Sequence, residues 1–156
     1  MKKLLSQVKK ISEKIYDEVG CEKEEHIQIA LSIELDKLKI SHLRETSIQI
    51  YYEKHPIGIL ELDFLISPWE DLNEYIIFEL KLSSKIGNSD RQQLKNQLRS
   101  APFNNHELIK KVTKGVIINF KKEEKYKEGK NEIPQDKVEI EVWEYKKGKF
   151  EQRQYE

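Results

Sequence analysis

Cysteine is almost absent from this chain. Cys21 is the only one in 156 residues, which excludes an intrachain disulfide and a cysteine-rich zinc site. Long apolar runs are missing too. Nothing approaches the ~18 consecutive apolar residues of a membrane helix, and the opening MKKLLSQVKK holds basic residues without an apolar stretch of signal-peptide length. We therefore expect a reducing cytosol or nucleus as the setting. An excess of either charge is absent as well, with 28 Lys and Arg against 28 Asp and Glu. A strongly basic balance would have pointed directly at nucleic acid; here any polyanion contact has to come from local patches. His26, His42, His55 and His106 lack i, i+4 pairing and a neighbouring cysteine, so they read as surface or turn histidines and not as zinc ligands. There are no internal repeats.

What is present is the composition of one ordinary globular domain, 37% hydrophobic and 36% charged. Leu4, Leu5, Val8, Ile11, Ile15 and Val19 recur at three- and four-residue spacing, so 3–19 should be an amphipathic helix that stops at Gly20. A second helix is predicted over about 23–39, burying Ile27, Ala30, Leu31, Leu35 and Leu38. The period then drops to two. Residues 47–53 read as a strand, 55–58 (HPIG) as a turn, 59–66 (ILELDFLI) as a second strand and 74–82 (EYIIFELKL) as a third. Ser89 or Asp90 can cap a helix to about Ser100, 106–112 reads as a further short helix, and 115–120 (GVIINF) is an apolar strand. Residues 121–136 lack periodicity and are expected to form a mobile basic loop, before an edge strand over 137–147. The expected fold is a single α/β domain with a mixed sheet flanked by helices.

The chemistry sits on the second and third strands. Side chains alternate between strand faces, which places Leu60, Leu62, Phe64 and Ile66 on one face of the second strand and Glu61 and Asp63 on the other. In the third, Ile76, Phe78, Leu80 and Leu82 oppose Ile77, Glu79 and Lys81. Leu62, Phe64, Phe78 and Leu80 are accordingly expected to pack against the N-terminal helices. Two carboxylates and an amine amid apolar neighbours are costly unless they pair or bind a cation. One reading is a structural Asp–Lys or Glu–Lys pair. The other is a Mg²⁺ site, since two carboxylates supply hard oxygen ligands to an ion that keeps waters and bridges to phosphate, with Lys81 orienting the attacking water or neutralising a phosphate oxygen.

The set Asp63, Glu79-Leu80-Lys81 resembles the D…ExK signature of the PD-(D/E)XK nuclease superfamily. A closer resemblance is to the small GxxExxY proteins within it, carried by EEHIQIALSIEL (24–35), IQIYY with Gly58 and Asp63, QLKNQL (93–98) and GVIINF (115–120), and covering roughly residues 4–120. The name-giving Gly and Tyr fall on Cys21 and Ile27, so the match departs there. The resemblance implies a restriction-endonuclease-like αβββαβ core, preceded here by an extra N-terminal helix and followed by a C-terminal strand. It implies catalysis by Asp63, Glu79, Lys81, Glu24 and Gln93, with Asp63, Glu79 and Glu24 holding Mg²⁺, for which Mn²⁺ would substitute. Glu25 rivals Glu24 as the helix carboxylate; either could equally be a first-turn residue favoured by the helix dipole, and Gln93 could be a solvated helix residue.

The implied activity is metal-dependent hydrolysis of phosphodiester bonds in nucleic acid, with DNA expected and RNA left open. The alternative is a catalytically silent module that keeps the fold and contacts nucleic acid or a protein. Homo-oligomerisation is left open. Eight lysines between Lys110 and Lys130 could follow a phosphate backbone or form a solvated loop. Trp69 and Trp143 read as packing residues, Trp69 with the further option of stacking on a base. Cys21 has no base partner to make it a nucleophile.

Overall fold

The computed structural model describes residues 1–122 and 137–155. Its elements run α1 (Lys2–Val19), α2 (Glu24–Lys37), β1 (His42–Tyr52), β2 (His55–Ile66), β3 (Ile76–Ser83), α3 (Asn88–Ser100), β4 (Lys114–Lys121), β5 (Val138–Lys146) and β6 (Lys149–Arg153). The helices follow from their apolar spacing: α1 buries Leu4, Val8, Ile11 and Ile15, and α2 buries Ile27, Leu31 and Leu35. Gly20 ends α1 at φ 76°, where its N–H reaches the Tyr16 carbonyl.

The six strands lie side by side in chain order. Every neighbouring pair is antiparallel except β3 and β4, which α3 joins by a crossover. Helices α1 and α2 cover one sheet face over Phe64, Ile66, Phe78, Leu80, Val116, Ile118 and Phe120. Helix α3 covers the other, with Leu94 and Leu98 against Leu62, Leu65, Ile77 and Ile117. The result is a three-layer α/β/α arrangement. Gly115 lets α3 approach β4, because a Cβ there would overlap the Leu94 side chain.

Several expectations are corrected. Strand β1 begins at His42 and not Ser47. The HPIG segment is not the turn: the hairpin reverses at Glu53-Lys54, both at positive φ (48° and 72°), and His55 to Gly58 already belongs to β2. That is the backbone of a two-residue hairpin loop usually built from Asn-Gly, so the residue types gave no cue. Residues 106–112 contain only a one-turn 3₁₀ segment, Ile109–Lys111. Strand β5 is internal, flanked by β4 and by β6, which pairs back through Lys147-Gly148. Of the predicted loop 121–136, only Lys121 and Lys122 are among the described residues. His42 is no surface histidine, being 6% exposed at its side chain. It bonds Ser32 through Nε2 (2.7 Å) and the Ile40 carbonyl through Nδ1 (2.9 Å), tying α2 to β1.

At the outer edge of the sheet, β1 is not left bare. Asn104 donates from Nδ2 to the Gln49 carbonyl (3.0 Å) and accepts the Gln49 N–H at Oδ1 (2.9 Å), while Ser100 Oγ accepts the Tyr51 N–H (2.9 Å). One asparagine side chain thus occupies the place of a neighbouring strand's peptide.

Candidate active site

The site forms where the sheet forks. Strands β2 and β3 pair only over Phe64–Phe78, Leu65–Ile77 and Ile66–Ile76. Beyond Phe64 they part, and the alternation of β2 breaks at Asp63. Phe64 and Ile66 join the α1–α2 core, whereas Leu62 joins the α3 core and Leu60 packs on it. The expected single apolar face of β2, with Leu62 against the N-terminal helices, is therefore wrong; β3 keeps the alternation. The cause is visible in the ladder, where the Glu45–Asp63 rung is missing and Glu45 adopts φ 53°. Asp63 is freed to turn its carboxylate toward β3, and Oδ2 accepts the Leu80 backbone N–H at 2.7 Å. A side chain here takes over a hydrogen bond that a continuing strand would have made.

Helix α2 fixes the other Asp63 oxygen: Gln28 Nε2 donates to Oδ1 at 2.8 Å. Gln28 lies one turn after Glu24, so both project from one side of α2, and Gln28 also bonds Glu24. Arg44 Nη2 approaches Gln28 Oε1 at 3.5 Å, which uses the amide at both ends. From the opposite layer, α3 supplies Gln97, whose Nε2 donates to Glu79 Oε1 at 3.2 Å. One turn earlier Gln93 Oε1 accepts from Lys81 Nζ at 2.9 Å. Asp90 lies 3.9 Å from the same ammonium.

The electrostatics follow from burial. Glu79 is 3% exposed, and its carboxyl is pushed up to about 8, first by burial and then by the Asp63 charge. Lys81, Gln97 and the Asp63 backbone N–H oppose the shift. Asp63 is also raised, by burial, against the Leu80 N–H, a hydrogen bond with Glu79 itself, the Lys81 charge and Gln28. Two carboxyls in hydrogen-bond contact cannot both ionise freely, so the pair holds a proton that a cation would displace. Glu24, at the solvent side, is raised by partial burial and then by Asp63, with Lys81 acting against it.

The structure thus brings Glu24, Asp63, Glu79, Lys81 and Gln93 into one locality, where Glu24 and not Glu25 interacts with the others. Gln28 and Gln97 were missed. Their signal was a glutamine inside an apolar stripe, Gln28 beside Ile27 and Leu31, Gln97 beside Leu94 and Leu98. Trp69 does not reach the site; it packs on the α1–α2 core and bridges to Leu72. Trp143 packs in the α3 layer and donates to Glu141. Cys21 Sγ contacts the Lys121 carbonyl (3.7 Å). Among the described residues, no group of three or more His, Cys, Asp or Glu side chains is arranged to hold a metal, and no helix is long and apolar enough to cross a membrane.

A forked mixed sheet with a carboxylate on one arm and Glu-x-Lys on the other, between two helical layers, is the architecture of a nuclease core. A family model for the PD-(D/E)XK nuclease superfamily matches residues 2–132, and the chain belongs to that superfamily. Its members are generally nucleases, typically dependent on divalent metals such as Mg²⁺. No curated protein matches the chain.

Proposed function

We propose that this protein is a Mg²⁺-dependent phosphodiesterase acting on nucleic acid, DNA first, with Asp63 and Glu79 as metal ligands and Glu24 at the solvent side of the same site. The observation that carries the reading is the contact between two carboxyls, one nearly buried and pushed up to about 8, with an ammonium beside them. The donor set fits the ion: two hard oxygen ligands leave the remaining positions to water and phosphate, as Mg²⁺ prefers. A cation bound there would lower the pKa of a water and offset charge on the phosphate.

The other roles belong to the chain. Gln28 and the Leu80 N–H fix both Asp63 oxygens, and Gln97 fixes Glu79. Lys81 is 24% exposed at its side chain and bonds Gln93, so its ammonium faces the site without being locked to either carboxylate. It can orient a water or neutralise a phosphate oxygen. The competing reading, a silent nuclease-fold module, draws on the fact that no group of three or more His, Cys, Asp or Glu side chains among the described residues is arranged to hold a metal. A direct Lys81 bridge sealing the site would have favoured it; the Gln93 bond does not. The test is cleavage of single- and double-stranded DNA and RNA with Mg²⁺, with Mn²⁺ and with chelator, for the natural protein and Glu79→Gln. Metal-dependent cleavage lost in Glu79→Gln supports the proposal; no cleavage of any polymer with either metal rejects it.

A further inference from the structure

Away from the fork, the tip of the β1–β2 hairpin, the C-terminal turn of α3 and the end of β5 enclose a cleft of about 540 Å³. Its walls include Tyr51, Tyr52, Phe103 and Tyr145, with Lys54 and Arg99 among them. Tyr52 is 63% exposed and Phe103 44%. The Tyr51 and Phe103 rings are 5.5 Å apart and tilted. Neither exposed ring is needed to close the core, and exposed aromatic clusters in a protein of this size mark contact surfaces. The pattern continues along α3, where Lys95 lies 4.6 Å over the Trp143 ring and Arg99 5.9 Å over Phe150, which stacks on Tyr145. Two cations line the cleft against one carboxylate, Glu53, in a chain whose formal net charge is zero.

We propose that this cleft binds an unstacked stretch of single-stranded nucleic acid, the bases on the rings and the phosphates on Arg99 and Lys54. Alternating rings and cations are what such strands require: every base has a face to stack, and every phosphate needs a charge. Duplex DNA hides its base faces and would gain only the cations. The inference takes the polymer class from the proposed function but stands apart from cleavage.

The experiment uses the full chain with chelator present, so that neither metal nor turnover enters. Fluorescence anisotropy compares a labelled single-stranded 20-mer of mixed sequence with its duplex, for the natural protein, Tyr52→Ala, Arg99→Gln and a control, Ile33→Ala, on the exposed side of α2. Thermal melts verify that each variant folds. The single strand should bind more tightly than the duplex, and Tyr52→Ala should weaken single-strand binding about tenfold while leaving duplex binding alone. Arg99→Gln should reduce the log–log salt slope by about 0.7. The control should bind like the natural protein. Single-strand binding that is absent, unchanged by both variants, or weakened by Tyr52→Ala no more than duplex binding overturns the proposal. So does self-association that Tyr52→Ala abolishes, since the cleft would then belong to a second copy. Absent cleavage alongside the expected binding pattern would reject the nuclease reading and leave this one standing.

Discussion

The carboxyl of Glu79 gives the sharpest expectations at the scale of single residues. Its folded pKa, about 8, lies above the value of an unfolded glutamate, about 4.3. Between those values the folded state keeps a proton that the unfolded state has released. Stability therefore falls as pH rises across this window, by at most about 1.4 kcal/mol per pH unit, and levels off above it. Asp63, raised as well, acts in the same direction. Chemical denaturation of metal-free protein from pH 5 to 9 should show this decline, and Glu79→Gln should flatten it and raise stability at pH 8. Asp63→Asn should behave differently. Both Asp63 oxygens accept N–H donors, an amide can accept at only one, and the variant should lose about 1 kcal/mol. Such a contrast could not be foreseen from sequence. The alternation of β3 set Glu79 and Lys81 opposite Phe78 and Leu80, on the face that α3 covers through Gln93 and Gln97, but the same rule failed for β2, because a missing rung at Glu45 depends on how two strands diverge and not on which residues they contain.

Among the elements, the two long helices and the cores of β2, β3 and β4 were legible because their periods are strong. What escaped was set by backbone conformation. The Glu53-Lys54 reversal uses positive φ at residues that rarely adopt it, while the Pro and Gly that normally punctuate a turn sit inside β2. Strand β6 is short, polar and placed beyond the family match. The contact of α3 with β4 is more demanding than its apolar pattern suggests. Leu94 occupies the space over Gly115, and Gly115→Ala should force α3 outward. A loss of about 1–3 kcal/mol is expected, read from urea midpoints. Since α3 carries Gln93 and Gln97 to the site, cleavage should fall with it, and a melt unchanged by the substitution would disprove the close approach.

For the whole molecule, folding brings polar groups from both helical layers to the fork, with α2 holding Asp63 and α3 holding Glu79 and Lys81. A cation bound there should tie the layers together and raise the melting temperature in proportion to its occupancy. Glu79→Gln should shrink that shift. Lys81→Met should keep it while slowing cleavage, if the lysine acts as proposed on water or phosphate and not on the ion. Equal loss of the shift in both variants would mean that Lys81 shapes the ligand geometry itself.

Asn104, whose amide stands in for a strand's peptide at the edge of β1, carries a consequence for solubility. An open row of N–H and C=O groups templates the addition of foreign strands, and this asparagine acts as a stopper on that row. Asn104→Ala would uncap Gln49 next to Ile48 and Ile50, a β-prone segment. The substitution should produce concentration-dependent aggregates that light scattering detects below the melting temperature, even where the secondary structure by circular dichroism is unaltered. A residue far from any chemistry would then decide whether the protein stays dispersed.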